Sequence, residues 1–291
     1  MKDFEYYAPK TVKEAVSLLG KLKGDAKIIA GGQSMLVLMK QNMIAPENVI
    51  DIKGLSELDY MKYDAARGLL LGALTTHRTI EKSPMIKERY PVLAEMEDNL
   101  AAVQTRNYGT IGGNVCHGDP AGDPSTVFVA LDAKLKLAGA GGERLVNTED
   151  FYKDYLEVDL KEDEMLTEIQ VPNIPANTGV AHEKLMFQKA DMGIVGAAAS
   201  ITVNPSSGAC EAARIALSNV ASVPFRSKAA EKALVGKVLN DKVIEEAAEA
   251  MAKEISPPSD VHGSEAYRKE MVKVFLKRTV KKALERAKAK S

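Results

Sequence analysis

The chain has 291 residues, of which 45% are hydrophobic and 27% charged, a composition typical of a globular protein with a sizeable buried core. Its 39 basic and 40 acidic residues are interspersed and leave a formal charge of -1, so no extended field favours nucleic acid or an anionic membrane. No window reaches the roughly 18 consecutive apolar residues of a membrane span, and the N-terminal residues lack a signal-peptide pattern, so we expect a cytoplasmic protein.

The first part of the chain predicts short strands that alternate with helices. The predicted elements are, in chain order, a helix over 11–24, strands over 27–30 and 48–52, a third strand in "GLLLGALTTHRTIEKSP" followed by a polar helix start, a helix opened by Ser83 and Pro84, a helix beginning in "STVFVALDA", and a strand over 134–137 that leads into a hairpin turn at 139–142. Residues 27–40 therefore predict a strand, a glycine turn and a helix.

A Pro/Asn/Gly cluster follows the strand-like "EMLTEIQVP" and predicts a domain boundary near residue 175. Beyond it, "GIVGAAASITVN" and "CEAARIALSNVASVPFR" predict two strands of an antiparallel sheet. The remainder predicts helices over 227–234, 241–254 and 264–289. The last helix spaces Met271, Val272, Phe275, Val280 and Leu284 near the helical period, which favours a solvated amphipathic helix over a nucleic-acid-binding one.

The stretch "AGGQS" (30–34) is the first candidate binding element. It lies between a predicted strand and a predicted helix, where free backbone N–H groups and the helix N-terminus favour an anion such as phosphate. It is neither a Walker A loop nor a GxGxxG motif, so neither of those nucleotide sites is indicated. A tight turn that packs a strand against a helix explains the glycines equally well.

The stretch "TIGGN" (110–114) is the second such element, with small residues that allow close approach to the backbone. The Asn114 amide adds a polar group that a plain turn does not require. Two separated glycine stretches suit a ligand with two phosphates held from both sides. The pattern therefore suggests a dinucleotide such as FAD or NAD.

The following "HGDPAGDPS" combines one histidine with two aspartates, a set that could bind a metal. It lacks an HxxxH or HExxH face, and Asp123 is better explained at the N-terminal end of the next helix, where it could also hold a sugar hydroxyl. Cys116 is interpreted as a small packed residue. His77 and His262 are expected at the surface or at helix caps. With only Cys116 and Cys210, the chain cannot supply an iron–sulfur cluster by itself.

Taken together, "KIIAGGQSMLVLMKQ", "TRNYGTIGGNVCHGDPAGDPSTVFVALDA" and "ARIALSNVASVPFRSKAAEKAL" resemble the FAD-binding medium subunit of the molybdenum hydroxylases, the xanthine dehydrogenase and carbon monoxide dehydrogenase family. The resemblance covers nearly the whole chain. It implies an α+β fold with a two-subdomain FAD-binding domain of the vanillyl-alcohol oxidase (PCMH) type, followed by a smaller α+β domain with an antiparallel sheet and helices. The expected FAD-binding domain covers residues 1–175, with subdomains of about 1–55 and 56–175, and the C-terminal domain covers 176–291.

The resemblance also implies which residues bind the cofactor. From the first stretch these are Ile28, Ile29, Ala30, Gly31, Gly32, Gln33, Ser34 and Met35, of which residues 30–34 would wrap the pyrophosphate. The others are Leu100, Ala101, Thr110, Gly113, Asn114, Asp123, Leu166 and Lys184. Asp123 matches an acidic residue that contacts ribityl or ribose hydroxyls in relatives, and Lys184 matches a lysine at the flavin edge. Many relatives have tyrosine where this chain has His182, which is a departure from the family pattern.

The family resemblance implies an oxidoreductase subunit that transfers electrons and uses no catalytic base of its own. Substrate is hydroxylated at a molybdopterin centre in a large subunit, and electrons pass through [2Fe-2S] clusters of a small subunit to this FAD and then to an external acceptor. The cysteine count argues against the aryl-CoA reductase branch, whose medium subunit carries an additional cluster. A different class of function, a flavin- or nucleotide-binding assembly module without redox turnover, stays open, as does a free-standing FAD oxidoreductase, which the missing acid/base pair disfavours.

Overall fold

The computed structural model describes residues 2–289. Its strands are β1 (Glu5–Tyr7), β2 (Ala26–Ile29), β3 (Asn48–Asp51), β4 (Met61–Asp64), β5 (Gly68–Gly72), β6 (Lys134–Gly139), β7 (Gly142–Asn147), β8 (Tyr152–Asp154), β9 (Glu157–Val158), β10 (Met165–Val171), β11 (Thr178–Leu185), β12 (Val195–Val203), β13 (Cys210–Ser218) and β14 (Phe225–Arg226). Its α-helices are α1 (Val12–Leu22), α2 (Met35–Lys40), α3 (His77–Lys82), α4 (Pro84–Arg89), α5 (Pro91–Asp98), α6 (Val103–Tyr108), α7 (Ile111–His117), α8 (Asp123–Ala130), α9 (Thr148–Phe151), α10 (Lys228–Leu234), α11 (Asp241–Ala252) and α12 (Glu265–Lys288).

The N-terminal unit is a small parallel sheet with the strand order β1-β3-β2. Helix α1 begins at Thr11, whose side chain accepts a hydrogen bond from the backbone N–H of Glu14, and it buries Ala15 and Leu19. These side chains share one hydrophobic cluster with Ile50 of β3. The parallel order requires crossovers between the strands, and it places the residues that follow β2 at the edge of this unit.

The central unit is a five-stranded antiparallel sheet with the order β4-β5-β10-β6-β7. Strand β5 is buried along its whole length, which matches its continuous run of leucines. Leu69 and Leu71 join a cluster with Phe128 of α8 and Leu93 of α5. Helices α5 and α8 thus belong to the main core, and the chain segments beside them are held against a rigid support.

The C-terminal unit is an antiparallel sheet with the order β11-β12-β13-β14, covered by helices on one face. Ala181 and Ala197 belong to the cluster shared with α12, whereas Val180 and Ala198 belong to the cluster of the central unit. Because side chains alternate along a strand, His182 and Lys184 lie on the same face of β11 as Val180. The sheet is therefore packed between α12 and the central unit, with these two polar residues on the inner side.

The structure confirms the α+β fold class and most of the predicted elements, including the strand–turn–helix unit over 26–40, the hairpin of β6 and β7 and the amphipathic C-terminal helix. Two expectations were incomplete. Residues 111–117 form helix α7 rather than a loop, because Thr110 caps the helix and Ile111 and Val115 are fully buried. The C-terminal sheet has two further strands, β11 and β14. Within residues 2–289, no helix combines the length and the apolar character needed to cross a membrane.

Candidate cofactor site

The first of the two glycine stretches, which are far apart in sequence, packs against the backbone that directly precedes the second. We call residues 30–34 the first glycine segment and residues 110–114 the second. A Cβ placed on Gly31 would lie 2.1 Å from the carbonyl oxygen of Tyr108 and 2.8 Å from the Cα of Gly109. Glycine at position 31 thus lets the first segment pack directly against the backbone that leads into the second segment.

The first glycine segment forms a compact turn. Gly32 has a φ of 70°, in the left-handed region that favours glycine, and the side-chain amide of Gln33 donates to the carbonyl of Gly31 at 2.9 Å. Ser34 precedes α2 but makes no side-chain capping bond. Residues 28–32 and Met35 are half-buried, so the segment is accessible from one side.

The second glycine segment is held by residues that sequence analysis did not assign to the site. The backbone N–H of His77 donates to the carbonyl of Gly109 at 3.1 Å, and that of Ile111 donates to the carbonyl of Thr75 at 2.9 Å. The Thr110 hydroxyl accepts from the N–H of Gly113 at 3.1 Å, and Gly113 itself is exposed. The stretch "TTH" after β5 is therefore a third part of the site. The Thr-rich helix start that follows β5 is the sequence feature from which this part could have been found.

His77 is buried, so the expectation that it is a surface or capping residue was wrong. Its Nδ1 lies 2.9 Å from a carboxylate oxygen of Glu97, and the exposed fractions of the two side chains are 3% and 0%. The pair joins α3 to α5, and His77 contacts Gly109, which precedes the second glycine segment. Burial raises the pKa of the Glu97 carboxyl, and the His77 side chain beside it opposes that shift. His262, by contrast, is exposed as expected.

The buried His77–Glu97 pair predicts an unusual pH dependence of stability. Because the pKa of Glu97 is raised above its ordinary 4.5, the folded protein holds this proton to a higher pH than the unfolded chain does. The contribution of Glu97 to folding therefore decreases as pH rises from about 4.5 through the raised value. We expect Glu97→Gln to gain about 1 kcal/mol of unfolding free energy over the wild type as the pH rises above the ordinary Glu value of 4.5. Urea denaturation at several pH values measures this; parallel curves for both proteins would contradict it.

Arg106 fixes the backbone of Leu100 and Ala101, two residues assigned to the cofactor by resemblance. Its guanidinium donates to the carbonyl of Leu100 at 2.7 Å and to that of Ala101 at 2.5 Å, while its Nε donates to Glu81 at 2.8 Å. Ala101 has a φ of 45°, a conformation that such bonds must stabilise in a residue other than glycine. Burial pushes the pKa of Glu81 upward, but hydrogen bonds from Arg78 and Arg106 outweigh it and lower the pKa to about 2.

Replacing Arg106 by alanine leaves the two carbonyls and the Glu81 carboxylate without this donor. We expect a loss of about 3 kcal/mol of unfolding free energy, with a smaller loss for Arg106→Lys, because one ammonium group cannot reach all the acceptors at once. Guanidinium denaturation measures both values. Arg67→Ala, at an exposed pair with Asp64, is the control; if Arg106→Ala is as mild as this control, the network does not hold the loop.

Asp123 and Lys184 form a buried ion pair between the central and C-terminal units. The Lys184 ammonium donates to Asp123 Oδ2 at 2.7 Å and to the carbonyl of Asp191 at 2.8 Å, and both charged side chains are at most 5% exposed. Asp123 lies in the first turn of α8, as predicted, with Gly122 at the cap position. His182 Nε2 is 3.7 Å from Asp123 Oδ1.

Four buried side-chain atoms in the described residues lack a hydrogen-bond partner, and they lie around this ion pair. They are Asn114 Oδ1, Asp123 Oδ1, His182 Nε2 and Ser218 Oγ. Asn114 Oδ1 is 3.7 Å from the place that a Cβ on Gly122 would take, next to Asp123, and Gly196 pairs with both Lys184 and Ser218 in the sheet. Buried polar atoms are normally paired, so this group indicates a binding site.

The other candidate residues lie outside this cluster. Leu166 is 3% exposed in β10, where it pairs with Leu137 inside the central core. Cys116 packs against the same core, and burial raises the pKa of its thiol to about 12, in line with a packed residue. Among the described residues, including "HGDPAGDPS", no three His, Cys, Asp or Glu side chains come together in a way that could hold a metal ion.

The chain matches two known protein families. Residues 2–174 match the FAD binding domain in molybdopterin dehydrogenase, and residues 181–283 match the CO dehydrogenase flavoprotein C-terminal domain. The carbon monoxide dehydrogenase medium chain of Hydrogenophaga pseudoflava is 36% identical over 280 residues, covering 96% of each chain. The glyceraldehyde dehydrogenase medium chain of Sulfolobus acidocaldarius is 32% identical over 279 residues, covering 96% of this chain and 98% of that one.

Solved structures have the same fold. A chain of carbon monoxide dehydrogenase from Hydrogenophaga pseudoflava, in a form that lacks the Mo-pyranopterin moiety of the molybdenum cofactor, superposes with a TM-score of 0.94. It is 38% identical, and the match covers 98% of both chains. The similarity therefore extends over both the FAD-binding and the C-terminal parts.

The fold and the site define the class of FAD-binding flavoprotein subunits of oxidoreductases. More narrowly, the chain belongs to the FAD-binding medium subunits of the molybdenum hydroxylases, the family that includes carbon monoxide dehydrogenase. This confirms the family, the fold and the cofactor, FAD, that the sequence predicted, and it confirms an oxidoreductase subunit as the kind of protein.

Proposed function

We propose that FAD binds where the two glycine segments meet and extends toward Asp123 and Lys184. The proposed contacts are those implied by the family resemblance: Ile28, Ile29, Ala30, Gly31, Gly32, Gln33, Ser34, Met35, Leu100, Ala101, Thr110, Gly113, Asn114, Asp123, Leu166 and Lys184. The observation that carries this proposal is the unpartnered Asp123 Oδ1, a buried carboxylate oxygen that can accept from a hydroxyl. FAD is rich in hydroxyl groups along its ribityl chain and ribose, so the donor set fits.

Individual residues would have distinct roles. The exposed Gly113 has no side chain and would let the cofactor approach the backbone closely, and the turn at Gly32 lies just before the start of α2, where backbone N–H groups suit a pyrophosphate. Asn114 adds an amide, and Lys184 places a positive charge beside Asp123. Leu166 belongs to the central hydrophobic cluster and would contribute an apolar contact. The bound isoalloxazine would supply the redox chemistry, while the protein orients it and excludes water.

The chain would act as an electron-transfer subunit. Electrons released at a large molybdopterin subunit would pass through the [2Fe-2S] clusters of a small subunit to this chain. This chain would then pass them to an external acceptor. The relatives are medium chains of dehydrogenases acting on substrates as different as carbon monoxide and glyceraldehyde, which supports substrate recognition outside this chain. Burial raises the pKa of Cys116 to about 12 and that of Cys210 to about 11, so both are thiols at neutral pH.

We also propose that the FAD-binding domain ends near residue 175 and that the C-terminal domain follows it. The division is supported by the separate sheets and by the two hydrophobic clusters that meet at β11. The proposed location is the cytoplasm, with no nucleic-acid partner.

Anaerobic reduction of the purified complex tests the electron-transfer function. The complex is mixed with carbon monoxide, aldehydes and N-heterocycles, and the flavin absorption is followed in a stopped-flow instrument. We expect the oxidised flavin band to bleach with one of these donors and to return when an acceptor such as a quinone or NAD is added. A complex that turns over its donor while the flavin never bleaches would instead support a non-redox flavin-binding module.

A further inference from the structure

His182 and Asp123 present two unpartnered polar atoms to each other at a distance that a single bridging group could span. Asp123 Oδ1 and His182 Nε2 are 3.7 Å apart, and both side chains are 5% exposed. The separation is too long for a direct hydrogen bond. A hydroxyl oxygen can nevertheless lie about 2.8 Å from both atoms at once, at the apex of a triangle.

The surrounding groups leave these two atoms available. Lys184 occupies the other oxygen of Asp123 and the carbonyl of Asp191, so it does not compete for Oδ1. Burial lowers the pKa of His182, while the nearby Asp123 carboxylate opposes that shift. The imidazole is therefore neutral at pH 7, and the tautomer with a proton on Nε2 can donate while Asp123 accepts.

We propose that Asp123 and His182 together bind one hydroxyl group of FAD, which donates to Asp123 Oδ1 and accepts from His182 Nε2–H. The proposal rests on the proposed FAD site and adds a cofactor-binding residue at a position where many relatives carry tyrosine. The hydroxyl belongs either to the ribityl chain or to the adenosine ribose, which share this chemistry.

FAD analogues test the proposal without any need for turnover. The dissociation constants of FAD and of analogues that each lack one ribityl or ribose hydroxyl are measured by flavin fluorescence with the deflavinated protein. For the wild type, we expect one analogue to bind about tenfold more weakly than FAD, the cost of about one hydrogen bond to a buried group. Whether that analogue lacks a ribityl or a ribose hydroxyl identifies the source.

A double-mutant-type cycle, which combines His182 variants with the FAD analogues, assigns the effect to His182. His182→Phe should bind FAD about tenfold more weakly, with a smaller further loss for the sensitive analogue than the wild type shows, whereas His182→Gln, which keeps an N–H donor, should recover most of the affinity. His262→Gln, at an exposed histidine, is the matched control, and thermal unfolding of each apoprotein shows that it is folded.

Equal affinity of the wild type for FAD and every analogue would overturn the proposal, and this result does not depend on any variant. So would a sensitive analogue that loses the same factor in His182→Phe as in the wild type, because the two groups then act independently. If FAD itself does not bind the wild type, the proposed function fails first, so the two failures are distinguishable.

Discussion

Asp123→Ala is expected to lose FAD and to lower the free energy of unfolding by about 3 kcal/mol, because it leaves the buried Lys184 ammonium without its partner. The ammonium would keep only its hydrogen bond to the carbonyl of Asp191. Chemical denaturation of the apoprotein measures the stability, and fluorescence titration measures FAD affinity. The loss of FAD affinity and the loss of stability come from the same substitution, so a second variant is needed to separate them.

The double variant Asp123→Ala/Lys184→Met separates them. Removing both charges leaves an apolar contact, so we expect most of the lost stability to return while FAD affinity stays low. Asp98→Ala is the matched control, since its pair with Lys189 is exposed and worth less than about 1 kcal/mol. A double variant that is stable and binds FAD as tightly as the wild type would show that Asp123 has no role in the site.

Gly31→Ala is expected to destabilise the protein by about 3 kcal/mol and to weaken FAD binding by more than tenfold. The added Cβ would lie 2.1 Å from the Tyr108 carbonyl oxygen, and a backbone atom cannot move aside as a flexible side chain can. The two glycine segments would have to separate, which changes the distance between the proposed pyrophosphate contacts.

The control for Gly31 is Gly54→Ala, where a Cβ would meet no atom within 4 Å. This substitution should change stability by less than about 1 kcal/mol and leave FAD affinity unchanged. If Gly31→Ala behaves like Gly54→Ala in both measurements, the contact between the segments is not required, and the site must be built differently.

Much of this site follows from local sequence. The turn at 30–34 is predicted because a buried strand precedes it and a helix follows, and Asp123 is predicted in a first turn because carboxylates are favourable there. The family resemblance added Lys184, and the structure then placed it 2.7 Å from Asp123. Short-range chemistry and resemblance therefore identified both partners of the central ion pair.

Contacts between distant segments were not predictable in the same way. The partner of His77 lies 20 residues away in sequence, so the burial of His77 against Glu97 depends on how α3 and α5 pack. The glycines at 111–117 suggested a loop because their low helix propensity is local, whereas the burial of Ile111 and Val115 that stabilises the helix is tertiary. The site is completed by such contacts, including the approach of His182 to Asp123.

Hydrogen–deuterium exchange with and without FAD is the most direct test of whether this chain binds FAD between its two glycine segments. We expect FAD to slow the exchange of backbone amides in 31–34 and 110–114, with further protection near Asp123 and over 182–184, and to leave α11 unchanged. No protection at either glycine segment, or protection confined to other parts of the chain, would contradict it.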